Sequence, residues 1–579
     1  MIKPQMIPKV PAALHGDIGV PHDHVNAPLK DGARLLLDVL ADEGIEYIFG
    51  NPGTTEMPLM HALASYPDLT YILGLQETAV VAMADGYAQA TGKPAFVNLH
   101  TAGGLGHAMG ALVHARVAQT PMLVTAGQQD TRHLHADPLL SGNLVDIARP
   151  ATKWARELSH PDEIPVMVRR ALQDTATAPA GPVFLSLPID MMTAPARAKA
   201  GGRSRIDRQA VAGGLDELAE ALASVAPGRL AVVSGDEVTR SDAISEATAL
   251  ADALGAPVYG PSWPGYMSFP TDHPLWAGNL PSTAGGMHST LEDYDAVLVL
   301  GGHSLISYLY SEGPAVPISC DLYQVSEDVG ELGRRYPARL ACHGHLKTSL
   351  RALLPLVSAR MAAHEEGVAR LRSAASAGRE ARLAALERRI AAEVGASVIS
   401  PLVAAAEVLR AAGGEVPVVD EAPATMHHVR SALEKWPVPK YVFMRSAILG
   451  WGLPAAIGVS LGLDRAPVLA LLGDGSALYS PQAFWSAARY RVPVTFVIMN
   501  NAEYNILKKY SVAQGYGADG NSTVPGLEID DPRVDFMALA ASMGIRSRRV
   551  GRAHEIGPAV REGIASNEPN LVEIVIAPE

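Results

Sequence analysis

The stretch 469-LALLGDGSALYSPQAFWSAARYRVPVTFVIMNN-501 holds two apolar runs, each ending on short polar residues, with an amphipathic segment between them. The run ending at Asp474 reads as a strand, PQAFWSAARY as a crossover helix, and VPVTFVIMNN as the next strand. A helix between two buried strands makes them parallel, so Gly-Asp-Gly and Asn-Asn fall on the same edge of one sheet. In open parallel sheets that carboxyl edge is where ligands bind.

The same rhythm extends outward. Near the N-terminus the runs EYIFG, TYILGL and PAFVNLH read as strands, with helices opening near Asp31, Thr55 and Thr78. PMLVTAG and GPVFLSLPID continue that unit. RLAVVSGDEV, APVYGPSW, DAVLVLGGHS and PISCDLYQVS form a second series. The predicted fold is α/β, with three doubly wound parallel-sheet domains. The expected boundaries are an N-terminal arm over 1–30, domains over 31–195, 205–357 and 398–579, and a helical linker over 358–397. The linker is rich in Ala, Arg and Glu, strong helix formers with alternating charge. The first and third units share a rhythm without a literal repeat.

With 579 residues the chain exceeds what one hydrophobic core serves, and its hydrophobic content of 48% with only 5% aromatics suits helices packed on parallel sheets. A net charge of −13 argues against nucleic-acid binding, which needs clustered Lys and Arg. Two cysteines, Cys320 and Cys342, fit neither a disulfide framework nor a CxxC metal site, which points to a reducing compartment. No apolar run reaches the roughly 18 residues of a membrane span, and the arm has no signal-peptide core. The expectation is a cytoplasmic protein without membrane or nucleic-acid partners.

At the paired strand ends, Asp474 and Asn501 offer hard oxygens, and a backbone carbonyl at Glu503 lies just beyond. Magnesium takes such ligands and leaves places for phosphate oxygens and water. Either motif alone is an ordinary turn or strand end; the pairing on one βαβ unit singles them out. No GxGxxG follows a strand near a later ribose-binding acid, and no GxxxxGK[ST] occurs, so a dinucleotide or P-loop reading is disfavoured.

These residues, with FGNPGTTEMP, YILGLQE, ADGYAQATGKPAFVNLH, VTAGQQ, GLPAAIG and GDGSALYS, resemble the thiamin diphosphate-dependent enzyme family, on the branch of the benzoylformate decarboxylases. The resemblance covers the chain from about Asp31. It implies pyrimidine-binding, central and diphosphate-binding domains, thiamin diphosphate with Mg²⁺, and a homodimer with shared sites that pairs into a tetramer. It places Glu77 at the pyrimidine nitrogen, the Ala447 carbonyl at the amino group and Leu449 as the apolar wedge that bends the cofactor. Asp474, Gly475, Ser476, Asn501 and Tyr504 fall around the diphosphate, and Asp474, Asn501 and Glu503 around the metal. Ala447 and Leu449 read equally well as core residues before a helix.

Toward the substrate, His100 matches the active-site histidine and Thr54 replaces a serine that contacts the carboxylate. Three departures stand out. Tyr308 occupies the place of a second histidine, His303 lying earlier at the strand end. Pro423 and Ala424 replace a hydroxyl pair that contacts phosphate, with backbone amides, Ser476, His427 or His428 as substitutes. Ile506 replaces alanine and Tyr510 phenylalanine, beside an apolar wall of Leu139, Leu140 and Phe443. A larger Ile506 crowds an aryl group unless main-chain shifts absorb it. The expected reaction is decarboxylation of a benzoylformate-like or branched 2-oxo acid to an aldehyde and carbon dioxide. Carboligation to 2-hydroxy ketones, as in acetolactate synthases, is the alternative, and a non-catalytic cofactor binder is the third reading.

Overall fold

The computed structural model describes residues 29–516 and 524–578, so the expected arm lies almost wholly outside the described residues. The first sheet contains β1 (Tyr47–Gly50), β2 (Thr70–Leu73), β3 (Ala95–Leu99), β4 (Met122–Gln128), β5 (Ala155–Glu157) and β6 (Pro182–Pro188). Its order is β2-β1-β3-β4-β6-β5, all parallel. The middle sheet contains β7 (Leu230–Ser234), β8 (Val258–Gly260), β9 (Trp276–Asn279), β10 (Ala296–Leu300), β11 (Asp321–Ser326) and β12 (Leu340–His343), in the order β9-β8-β7-β10-β11-β12. The third contains β13 (Val418–Glu421), β14 (Tyr441–Phe443), β15 (Val468–Gly473), β16 (Val494–Asn500), β17 (Arg546–Val550) and β18 (Asn570–Val575). Its order, β14-β13-β15-β16-β18-β17, repeats that of the first sheet. Three α/β domains are therefore present.

The central strands are predominantly apolar because both faces are covered: β4, β6 and β16 have every residue buried. In the first and third sheets the chain reverses its winding direction between β1 and β3 and between β13 and β15, and ligand crevices open at such points.

Helix α1 (Glu77–Thr91) follows β2, α2 (Thr101–Val117) follows β3, and α3 (Gly452–Gly462) precedes β15. One apolar core runs from the first sheet through α1 and α3 into the third; the middle sheet keeps cores of its own. Helices α1 and α3 meet backbone to backbone. A Cβ at Gly458 would lie 1.8 Å from the Met83 carbonyl oxygen, and one at Gly86 2.1 Å from that of Ala455. Only glycine fits there. The helix Glu365–Glu393, which buries little more than Val368, Leu386 and Ile390, links the middle and third units.

Candidate active site

Two clusters of functional side chains form at equivalent places, the carboxyl edges of the first and third sheets. In the first, Glu77 opens α1 behind the N-cap Gln76, whose side chain accepts from the Ala79 amide. The buried Glu77 carboxylate accepts from Asn51 Nδ2 at 3.1 Å, and His107 Nδ1 lies 3.1 Å from its other oxygen. Asn51 follows β1 and His107 lies on α2, so three segments converge on one carboxylate.

His100 ends β3, and its Nδ1 lies 2.7 Å from Glu56 Oε2. Glu56 is buried and also accepts from the amides of Gly53 and Gly127 and the hydroxyl of Thr55. This carboxylate fixes the imidazole's orientation by accepting from Nδ1 and leaves Nε2 as the atom that can take up and release a proton. Gly53 is obligatory here: a Cβ on it would lie 2.2 Å from the His100 ring. Glu56 was not among the residues expected from sequence; the signal was a glutamate three residues beyond a loop glycine, a capping arrangement. Thr54 is exposed at the lip of this cluster, while Thr55 turns inward with its Oγ1 3.3 Å from His100 Nδ1.

In the third sheet, a groove is lined by Pro423, Ala424, Leu449, Gly473, Asp474, Gly475, Ser476, Asn501, Glu503, Tyr504 and Ile506 among others. Asp474 is buried, and burial pushes its carboxyl up to about 6, against the pull of the Gly475, Ala502 and Asn501 amides that it accepts from. Among the described residues no Lys or Arg side chain bonds to it. The two asparagines divide their roles. Asn500 turns into the core and donates to Glu573 at 2.6 Å, whereas Asn501 lines the groove. A desolvated carboxylate without a cation, beside an amide oxygen and the main chain of Glu503, is a donor set suited to a hard divalent ion. These residues fit the expected metal and diphosphate.

The segment after β14 carries the other residues expected at the cofactor. Ala447 has φ +59°, the left-handed region that alanine seldom occupies, and Leu449 points into the groove. Behind it, Glu421 at the end of β13 is fully buried and accepts from the amides of Gly450, Trp451 and Gly452. Burial pushes its carboxyl up to about 8. Glu421 is a second residue missed from sequence, although it ends an apolar strand much as Asp474 does.

The substrate-side residues are distributed between the clusters. Ile506 lies in the groove with Leu449. Leu139 and Leu140 are exposed, at 89% and 51%, on the loop that follows β4. Tyr510 is partly exposed on the helix Asn505–Ala513, and Tyr308 is exposed in the central domain, stacked on Trp263 at 5.5 Å. Phe443, expected in the pocket wall, is buried in this chain between Trp263, Tyr441 and the Arg430 guanidinium. His303 is withdrawn beside Arg445, and burial with that cation pushes it down to about 4, so it is neutral at pH 7.

Among the described residues no hydrogen bond or ion pair joins Glu77, Glu56 or His100 to Asp474, Asn501 or Glu503, and the groove is lined by none of the first three. Its cavity is 60 Å³, far below the several hundred that a ligand of this size occupies. A larger cavity of 530 Å³ lies between the domains against Gln119, Arg240, Tyr266 and Lys440, away from both clusters. The donor chemistry, not the volume, marks the site. Among the described residues no helix is long and apolar enough to cross a membrane, and both cysteines are free and buried.

Three family descriptions match the chain: the N-terminal TPP binding domain of thiamine pyrophosphate enzymes over residues 30–149, the central domain over 215–353 and the C-terminal TPP binding domain over 424–574. The benzoylformate decarboxylase of Pseudomonas aeruginosa is 32% identical over 546 residues, which are 93% of this chain and 97% of that one. An acetolactate synthase large subunit of Haemophilus influenzae is 24% identical over 92% of each chain. The solved structure of the Rhodococcus jostii RHA1 thiamine diphosphate-dependent 4-hydroxybenzoylformate decarboxylase has a TM-score of 0.82 at 29% identity, covering 95% of this chain and 99% of that one. With its three matched domains in order and a relative this similar along almost its full length, the chain belongs to the thiamin diphosphate-dependent enzymes.

Proposed function

We propose that this enzyme decarboxylates a 2-oxo acid, aryl or branched, to an aldehyde and carbon dioxide, using thiamin diphosphate and Mg²⁺ in a site shared by two subunits. The observation that carries this reading is the pairing of clusters. One sheet edge presents Glu77 and an oriented histidine, and the like-ordered sheet presents a groove of metal and diphosphate donors whose lining holds no histidine. Each cluster supplies what the other lacks.

Asp474, the Asn501 amide oxygen and the Glu503 carbonyl hold the metal. Gly475, Ser476 and Tyr504 surround the diphosphate, Ala447 and Leu449 set the ring geometry, and Glu77 meets the pyrimidine nitrogen. Thiamin diphosphate, when bound, supplies the carbon nucleophile and the electron sink. Thr54, at the lip, hydrogen-bonds the substrate carboxylate before it leaves. His100, its Nδ1 tied to Glu56, moves a proton at Nε2 during loss of carbon dioxide and release of aldehyde. Tyr308 joins the proton traffic from the central domain. Leu139, Leu140 and Tyr510 close an apolar pocket over Ile506, whose branched side chain favours slender substrates.

The testing measurement is carbon dioxide and product analysis with benzoylformate, pyruvate and a branched 2-oxo acid, each with added thiamin diphosphate and magnesium. Release of aldehyde and carbon dioxide is expected. Release from none of them overturns the reading, and accumulation of a 2-hydroxy ketone favours carboligation, which the similarity to an acetolactate synthase supports.

A further inference from the structure

The loop that carries Ala447 and Leu449 is tied to the first unit by a chain of three side chains, Asp85 and His114 buried and Ser446 partly so. His114, on α2, has no exposed surface. Its Nδ1 lies 2.8 Å from Ser446 Oγ, and its Nε2, with no hydrogen-bond partner, lies 3.4 Å from Asp85 Oδ2 on α1. The imidazole stacks on Trp451 with centroids 4.8 Å apart.

The proton order of this chain follows from its ends. Ser446 Oγ accepts from the Ile448 amide at 3.2 Å, so the hydroxyl proton is available to His114 Nδ1. The imidazole proton then sits on Nε2, facing Asp85. Asp85 is itself an acceptor for Trp451 Nε1 at 2.8 Å, Thr120 Oγ1 at 2.5 Å and Gln89 Nε2 at 2.9 Å, so its oxygens face donors on every side. Burial holds the His114 pKa below the usual imidazole range, in accord with a neutral ring. One directed order results: Ile448 N–H to Ser446, Ser446 O–H to His114, His114 N–H toward Asp85.

The chain brackets the left-handed Ala447. Ser446 is held on one side of it and Trp451 on the other, both by Asp85, directly or through His114. Residues 446–449 are only partly buried, so packing alone does not hold the left-handed turn. Backbone strain of this kind persists only where surrounding structure enforces it.

We propose that Asp85, His114 and Ser446 act as positioning residues, a directed relay that holds the 446–451 loop in the shape that presents the Ala447 carbonyl and the Leu449 wedge to the cofactor. This rests on the cofactor assignment above but not on the substrate.

The test compares Ser446→Ala, His114→Phe and His114→Gln, the glutamine offering an acceptor to Ser446 and a donor to Asp85. Thiamin diphosphate affinity is measured by calorimetry with magnesium present, alongside the melting midpoint of the cofactor-free chain. Expected is an affinity loss of about tenfold in Ser446→Ala with little change in midpoint, a larger loss in His114→Phe, and recovery to within about threefold in His114→Gln. Unchanged affinity in both Ser446→Ala and His114→Phe overturns the relay, as does a loss that follows the midpoint without rescue by glutamine. If the parent binds no thiamin diphosphate, the cofactor assignment fails and the relay's role with it. Failure to decarboxylate leaves this readout intact, so the two failures are distinguishable.

Discussion

Asp474 shows how a single buried group links folding to ligand binding. Its carboxyl titrates at about 6 in the folded chain and near ~3.9 when unfolded. Between those values the folded chain holds a proton that the unfolded chain has lost, so this group's contribution to stability is full below ~3.9 and is lost as the pH rises through about 6. On the proposed assignment magnesium takes the carboxylate as ligand, so its binding expels that proton in acid. We expect metal-dependent cofactor affinity to be flat above neutrality and to fall about tenfold per pH unit below the folded pKa. Asp474→Asn should lower affinity by more than tenfold and flatten the acid limb. Calorimetric titration at stepped pH checks this, and a parent affinity unchanged down to pH 5 would contradict it. Asp474 and Asn501 were legible in sequence because each stands where an apolar run stops. Glu56 was not, since its partner His100 lies 44 residues away and only the folded loop brings them together. Phe443 was ambiguous because a large apolar residue at a strand end suits a pocket wall and a core equally well.

At the scale of elements, the central strands could be read from sequence and one edge of each sheet could not. The runs ending β1, β3, β7, β10, β15 and β16 are apolar because helices cover both faces. The edge strands β5, β12 and β17 carry ARE, LACH and RSRRV, largely exposed, and nothing in their composition separates them from loop. The contact between α1 and α3 was equally hidden, since it joins segments more than 350 residues apart through glycines that look like helix breakers. Those glycines carry a prediction. Gly458→Ala places a methyl group within 1.8 Å of the Met83 carbonyl oxygen, and backbone cannot yield as a side chain tip would. The helices must separate, at a cost of about 3 kcal/mol or more. Because α1 begins with Glu77 and α3 follows Leu449, the displacement reaches both clusters. Chemical denaturation should show that loss. A variant with parental stability would mean the helices meet less closely than described.

For the whole molecule, the repeated strand order decides how the two clusters combine. Two like sheets packed through α1 and α3 place an acid-and-histidine edge and the proposed metal-and-diphosphate edge in one chain, with no hydrogen bond or ion pair between the two sets among the described residues. If a site is completed by the opposite cluster of a second copy, a symmetric dimer holds two sites, each built from both chains. Two inactivating substitutions then separate cleanly. Glu77→Gln disables the acid of one cluster and Asp474→Asn the metal ligand of the other, so each homodimer is silent. In a mixed dimer one site collects both substitutions and the other receives neither. Unfolding and refolding the two variants together, with random pairing, should restore about a quarter of the parent activity. Sites built within one chain give no recovery, because every site keeps one lesion. The measured quantity is the fraction regained against the mixing ratio, which peaks at equal amounts when sites are shared. A profile that stays at the level of the separate variants would place the whole site inside a single chain and require α1 and α3 to part before catalysis.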